Sequence, residues 1–376
     1  MAHEEFPEAD RAGDAPHPRE TAHLFGQELA EANFLEAYAT GRLHHGWLIT
    51  GPKGIGKATL AWRIARFLIA EPVEDASASL FGAPSMPSSL DVSAEHSVSR
   101  RLRALSDPGL FLLRRPWDEK SGRHKTQISV EEVRRLHGFF ALSSADGGRR
   151  VVIVDAADEM NIQAANALLK MLEEPPARTT LLLIAHQPAR LLPTIRSRCR
   201  ELRLSPLTAN SMAAALAQAG AVADEGTAAA LAELSAGSVG EALRLLELDG
   251  LKFYGALVAY AARLPNMDRA SALALAEMAS GGRGSEARTD LVFQLTQSLI
   301  ARAARFGAMA QAPSVELVPG EARVLAQLAQ TPQKARAWAD AAQRISARVS
   351  HGRAVNVDSA QLMLDALLTM QATAAA

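Results

Sequence analysis

The pattern of apolar and polar positions changes character near Pro206. Before it, short apolar runs recur at residues 45–50, 110–113, 150–155, 179–185 and 200–204. Runs of this length with little polar alternation predict strands of a sheet covered on both faces. Between them lie segments of helical periodicity. One spans 24–40, with apolar residues at Leu29, Phe34, Leu35 and Tyr38. Others span 58–70, 128–142 and 161–174, the last stopped by Pro175-Pro176. Strands alternating with helices predict an α/β fold with an open parallel sheet. After Pro206 the strand signals vanish. Residues 207–248 read as three short helices broken at Ala219-Gly220 and Gly237-Ser238. Residues 250–376 read as a longer all-helical domain, with breaks near Pro265, Gly281-Gly282, Pro313 to Pro319, Pro332 and Gly352. The acidic, proline-containing residues 1–20 predict a disordered tail. The Ser-, Pro- and Ala-rich stretch 71–99 predicts a surface excursion.

Composition narrows the picture. The chain has 376 residues, enough for two or three domains, and 48% are hydrophobic. Its formal net charge of −1 argues against a basic nucleic-acid coat. Residues 100–150 are locally basic, with twelve Lys and Arg against six Asp and Glu. They read either as a solvated or subunit-facing surface or as one close to nucleic-acid phosphate. Cys199 is the sole cysteine, so neither a disulfide framework nor a multi-cysteine zinc site is expected. No run approaches 18 uninterrupted apolar residues, and the first residues lack a signal-peptide core. A soluble cytoplasmic protein without membrane contact is the expectation.

The candidate chemistry centres on Gly51, Pro52, Lys53, Gly54, Ile55, Gly56, Lys57, Ala58 and Thr59. This is a G-x-x-x-x-G-K phosphate loop between a predicted strand and a predicted helix, the context the motif requires. The glycines let backbone N–H groups close around phosphate oxygens, the helix N-terminus favours negative charge, and Lys57 reaches the terminal phosphates. The loop thus predicts ATP or ADP as ligand. The next residue is Ala58, where a Ser or Thr hydroxyl would hold Mg²⁺. Thr59 stands about 100° further round the helix and is no direct substitute. Asp155 ends the third predicted strand, the position from which a carboxylate coordinates the nucleotide's Mg²⁺.

Three stretches together resemble the clamp-loader branch of the AAA+ family. They are Leu43 to Trp47 leading into the loop Gly51–Thr59, Asn166 to Pro175, and Ile195-Arg196-Ser197-Arg198-Cys199. The resemblance implies an AAA+ nucleotide-binding domain over 21–206, a helical lid over 207–248 and a collar domain over 250–376. It also implies partners: other clamp-loader subunits, both motor and clamp-opening, in a hetero-oligomeric ring. Through that ring come a sliding clamp and primed DNA. In the motor subunits an Asp-Glu pair ends the third strand, a hydroxyl residue ends the fourth, and the lid carries an arginine. Here the matching residues are Asp155-Ala156, Ala185-His186 and Gly240. Together with Ala58, four positions needed for hydrolysis are altered, yet Arg198 is kept. In this family that arginine projects into the neighbouring subunit's ATP site. The departures therefore imply a non-motor, stator-like subunit. Two other readings are an active AAA+ ATPase, such as a motor subunit or recombination factor, and a direct DNA-binding protein. Ala58, Ala156 and Gly240 speak against the first, and the near-neutral charge against the second. The family's small zinc module has no cysteines to form it between 70 and 99, so no zinc is expected.

Overall fold

The computed structural model describes residues 7–41, 43–71, 87–141, 148–280 and 285–376. The chain divides into two compact units. The first holds residues up to 222 together with 238–240; the second holds 223–237 and 241–376.

In chain order the first unit contains α1 (Glu28–Ala39), β1 (Gly46–Thr50), α2 (Lys57–Ala70), α3 (Ser97–Arg103), β2 (Leu110–Arg114), β3 (Trp117–Asp118), β4 (Arg123–His124), α4 (Val130–Ala141), β5 (Arg150–Asp155), α5 (Ile162–Glu173), β6 (Thr179–Ala185), α6 (Pro193–Arg196), β7 (Arg200–Arg203) and α7 (Ala209–Gln218). Five strands pair in parallel in the order β2-β5-β6-β1-β7. Leu48, Val152, Val154, Leu181 and Leu183 are buried on one face with Val133 and Leu136 of α4 and Leu168 and Leu172 of α5. The two-residue period of a strand turns Trp47, Ile49, Val151 and Ile153 to the other face. There α2 packs against β1, β5 and β6, and Phe34 of α1 meets Trp47 with ring centroids 5.1 Å apart. Both faces are covered, as the continuous apolar runs predicted.

Several expectations need correction. Leu29 is 76% exposed, because α1 begins at Glu28 and turns Ala30, Phe34 and Ala37 inward. The tail 1–20 is not disordered from Pro7 onward. Asp10 pairs with Arg114 and lies 3.0 Å from His17, and His17 is buried edge-on against Trp62. Arg19 joins Glu8 at 2.5 Å. An acidic, proline-rich composition predicts disorder only when its charges find no partner, and these charges find several. Within 71–99, residues 72–86 lie outside the described ones. Beyond them, Leu90 is buried, Asp91 pairs with Arg63 at 2.9 Å, and Ser97 opens α3. The basic connection 114–125 holds a short antiparallel pair, β3 with β4. Within 100–150, six arginines have ionic or ring partners: Arg101, Arg114, Arg115, Arg135, Arg149 and Arg150.

The second unit is helical among its described residues: α8 (Glu225–Leu234), α9 (Val239–Glu247, from Glu241 on), α10 (Gly250–Ala261), α11 (Arg269–Ser280), α12 (Ser285–Met309), α13 (Glu321–Leu328), α14 (Pro332–Ala354) and α15 (Ser359–Ala375). Its core holds a charged knot. Glu321 is fully buried and accepts from Arg302 at 2.7 Å, Tyr254 at 2.6 Å and the Leu317 N–H at 2.8 Å. A buried carboxylate is tolerated only with such a set of donors. Gly352 does not break a helix as expected. It lies inside α14, where an added Cβ would run into Leu362 of α15, so close packing explains the glycine. The expected break at Gly281-Gly282 and the predicted helix end at Leu142 lie outside the described residues.

Candidate functional site

The phosphate loop leaves the C-terminal end of β1 and runs into the N-terminus of α2. In a parallel sheet this is the end where ligands bind, outside the carboxyl ends of the strands. Gly51, Gly54 and Gly56 have φ of +138°, +79° and +100°, a backbone that only glycine adopts without strain. Ile55 is buried beneath the loop and Gly56 caps α2. Pro52 and Lys53 are exposed. Lys57 is buried, and its ammonium donates to the Gly51 carbonyl at 2.8 Å and the Pro52 carbonyl at 2.5 Å. Burial pushes its pKa down to about 8 against the pull of Asp155 and Asp158. Ala58 offers no oxygen, and Thr59 is buried.

Asp155 ends β5, in register with Arg114 of β2. Loss of water raises its pKa to about 7, helped by the charges of Asp10 and Glu159 and opposed by Lys57 and Arg114. The two acids beyond it serve the scaffold. Asp158 accepts from the N–H groups of His186 at 3.0 Å and Gln187 at 2.8 Å, joining the exits of β5 and β6. Glu159 pairs with Arg115 at 2.7 Å. His186 stands where a hydroxyl would sense a terminal phosphate. Burial pushes its pKa down to about 4, aided by the positive charge of Lys57, so it is neutral at pH 7.

Gly240 is the most informative of the altered positions. Its N–H donates to the Gly54 carbonyl at 3.0 Å, and Ser238 Oγ donates to the Lys53 carbonyl at 2.8 Å. A Cβ on Gly240 would lie 3.1 Å from Gly54 Cα. An arginine cannot stand there unless the phosphate loop moves. The residues thus fit a nucleotide's phosphates, through the glycine backbone and Lys57, and position 58 offers no hydroxyl beside them.

Arg198 lies elsewhere. It sits between α6 and β7, at the N-terminal end of β7. The phosphate loop is at the C-terminal end of the adjacent, parallel β1. A five-residue strand separates them, about 16 Å at about 3.3 Å per residue. The structure therefore brings Gly51–Thr59 and Asp155 together and sets Arg198 apart. The guanidinium donates to the Thr194 carbonyl at 3.1 Å and to Ser197 Oγ at 3.4 Å, and meets Glu173 at 3.0 Å. Sequence reading passed over Glu173 and Gly240's backbone contact, since both depend on segments distant in the chain.

Loop, strand-end acid and strand order define an AAA+ P-loop module. The family model described as DNA polymerase III, delta subunit, matches residues 26–208. It is 39% identical over 206 residues to the DNA polymerase III subunit delta' of Pseudomonas aeruginosa, covering 55% of this chain and 56% of that protein. It is 32% identical over 213 residues to the delta' subunit of Escherichia coli K12, covering 57% and 58%. The gamma/tau subunit of Mycobacterium tuberculosis is 30% identical over 240 residues, covering 61% of this chain and 37% of that protein. The chain thus spans little more than half the length of the delta' relatives it matches. Among the described residues no helix is long and apolar enough to cross a membrane, and no cluster of three or more His, Cys, Asp or Glu side chains could hold a metal ion.

Proposed function

We propose that this chain is a delta'-type stator subunit of a DNA polymerase III clamp loader. Residues 21–206 act as the AAA+ domain, 207–248 as the lid and 250–376 as a collar segment that joins the other subunits. The phosphate loop holds ATP or ADP without turning it over. Arg198 projects into the ATP site of a neighbouring gamma/tau motor subunit, while a delta subunit completes the ring. The assembly loads a sliding clamp onto primed DNA in the cytoplasm, as part of the polymerase holoenzyme.

The observation that carries this reading is the separation of parts within one sheet. The chain's own phosphate end lacks the loop hydroxyl and the second strand-end acid, and carries glycine, close against the loop, where a lid arginine would stand. Arg198 lies at the opposite end, half-exposed and out of reach of that loop. A planar, permanently charged guanidinium suits the charge that develops on a transferring phosphoryl group. It is useful here only to another subunit.

The test is ATP hydrolysis by the reconstituted complex with primed DNA and clamp, at matched assembly. Arg198→Ala is expected to lower the turnover of the adjacent motor site by about a hundredfold or more, on the scale of a lost arginine finger. Arg198→Lys should recover only part, because a point charge lacks the fork. The isolated chain should hydrolyse no ATP above background. Equal rates for wild type and Arg198→Ala would end the trans reading, and motor-like hydrolysis by the isolated chain, abolished by Lys57→Ala, would make it a motor.

A further inference from the structure

Parts of the three stretches that carry the family resemblance, His45-Gly46, the end of α5 and the Arg198 turn, are distant in sequence but meet at one corner, the N-terminal end of the sheet. His45 Nε2 lies 2.9 Å from the Leu172 carbonyl, which is one of the acceptors left open in the last turn of α5. Gly46 opens β1 at this corner. A Cβ there would lie 2.9 Å from Leu172 Cδ2, 3.1 Å from the Arg198 carbonyl and 3.3 Å from Cys199 Sγ. The missing side chain lets the end of α5 and the Arg198 turn close on β1 together. What they bring face to face is Glu173 and Arg198, 3.0 Å apart.

Glu173 is oddly placed for a helix. It is the last residue of α5, followed by a second acid, Glu174. A carboxylate at a helix C-terminus faces the negative end of the dipole and is disfavoured there. Helix stability gives no reason for an acid at this position. The guanidinium beside it does. Arg198 is otherwise held only by the Thr194 carbonyl and Ser197 Oγ of its own turn. Arginine carries five N–H donors, so these three contacts leave two for phosphate oxygens.

We propose that Glu173 is a positioning residue for Arg198. It holds the guanidinium in one pose at the corner, with the remaining N–H groups turned toward the neighbouring subunit. His45 and Gly46 fix the helix end that carries it. The proposal rests on the trans role of Arg198. An exposed ion pair shifts such a pose by a modest amount, so the expected effect is about three- to fivefold rather than total.

A double-mutant cycle tests it. Complexes are reconstituted with Glu173→Ala, Glu173→Gln, Arg198→Ala and Glu173→Ala/Arg198→Ala subunits, and hydrolysis is measured with primed DNA and clamp. Glu173→Ala should lower kcat about three- to fivefold, leave KM for ATP unchanged and leave the melting temperature of the subunit unchanged. Glu173→Gln keeps an acceptor oxygen and should fall between it and wild type. The double variant should match Arg198→Ala alone, because Glu173 acts only through that arginine. If Arg198→Ala slows the complex but Glu173→Ala does not, or if the two losses multiply, the positioning role is overturned and the trans reading stands. If Arg198→Ala has no effect, the trans reading falls and this proposal with it. A lower melting temperature for Glu173→Ala with a rise in KM would mark a structural residue and also overturn the proposal.

Discussion

The two ends of the parallel sheet carry different sets of side chains. At the C-terminal end the loop keeps its glycines and Lys57, while Ala58, Ala156, His186 and Gly240 stand where the resemblance places the hydrolytic parts of motor subunits. At the N-terminal end His45, Gly46, Glu173 and Arg198 form a connected set. The two ends share no side chain. In a parallel sheet, the residues before a strand and those after it are separated by the strand itself, about 16 Å here. On the proposed stator reading, this separation lets a chain lose its own hydrolysis and keep a group that assists a neighbour's.

Three measurements would break or sharpen that contrast, taken from the largest expected effect down. The first concerns Cys199, in the corner. Burial pushes its thiol up to about 12. The thiolate is the reactive form, so labelling of the native subunit at pH 8 should run about a hundredfold or more slower than for a free cysteine. Rapid reaction with an aromatic disulfide reagent would show the corner to be open. The second is Gly54→Ala, in the loop. At φ +79° a side chain is strained, and here it would also press on Ser238 Oγ and approach Gly240 Cα at 3.1 Å. The expected loss is about 1–3 kcal/mol in urea unfolding. A loss near zero would mean that the Gly237–Gly240 turn yields easily and does not close the lid position.

The third measurement is the pH dependence of ADP binding. Lys57 is cationic below its pKa of about 8 and neutral above it. Affinity should therefore fall as pH rises from 7 to 9, by up to about tenfold, the scale of one charge-assisted hydrogen bond. Lys57→Ala should bind weakly at both values and remove the slope. The same shift bears on folding. A lysine depressed below its unfolded value binds fewer protons in the folded state, so its contribution to stability rises between about pH 8 and 10.5. A slope of binding that survives Lys57→Ala would assign the titration to another group.

Much of the α/β unit was legible because its signals are local. The runs Arg150 to Asp155 and Thr179 to Ala185 fall on β5 and β6 residue for residue. A continuous apolar stretch bounded by polar residues has little else to become inside a covered sheet. Asn161 before α5 accepts from the Ala164 N–H at 2.8 Å, and Pro175-Pro176 follows its end. What failed was judged from composition alone. The tail 7–20 reads as disordered because no local periodicity shows that Glu8 and Asp10, besides pairing with Arg19 and His17, dock on the sheet unit. The anchor that ties them down, Arg114, lies about a hundred residues away.

The sequence by itself determined the phosphate loop, its strand and helix, since these are a matter of residue type at a fixed local spacing; what Ala58, Ala156, His186, Gly240 and Arg198 imply about hydrolysis came from the family resemblance. Only the tertiary structure decided what those positions mean together. Register in the parallel sheet put Arg198 and the loop at opposite ends. The packing of residue 240 on residue 54 showed that any side chain at 240 would press on the phosphate loop. The close approach that Gly46 allows set Glu173 beside Arg198. Each of these depends on contacts between segments far apart in the chain, and local periodicity carries no information about which distant backbone a residue will meet.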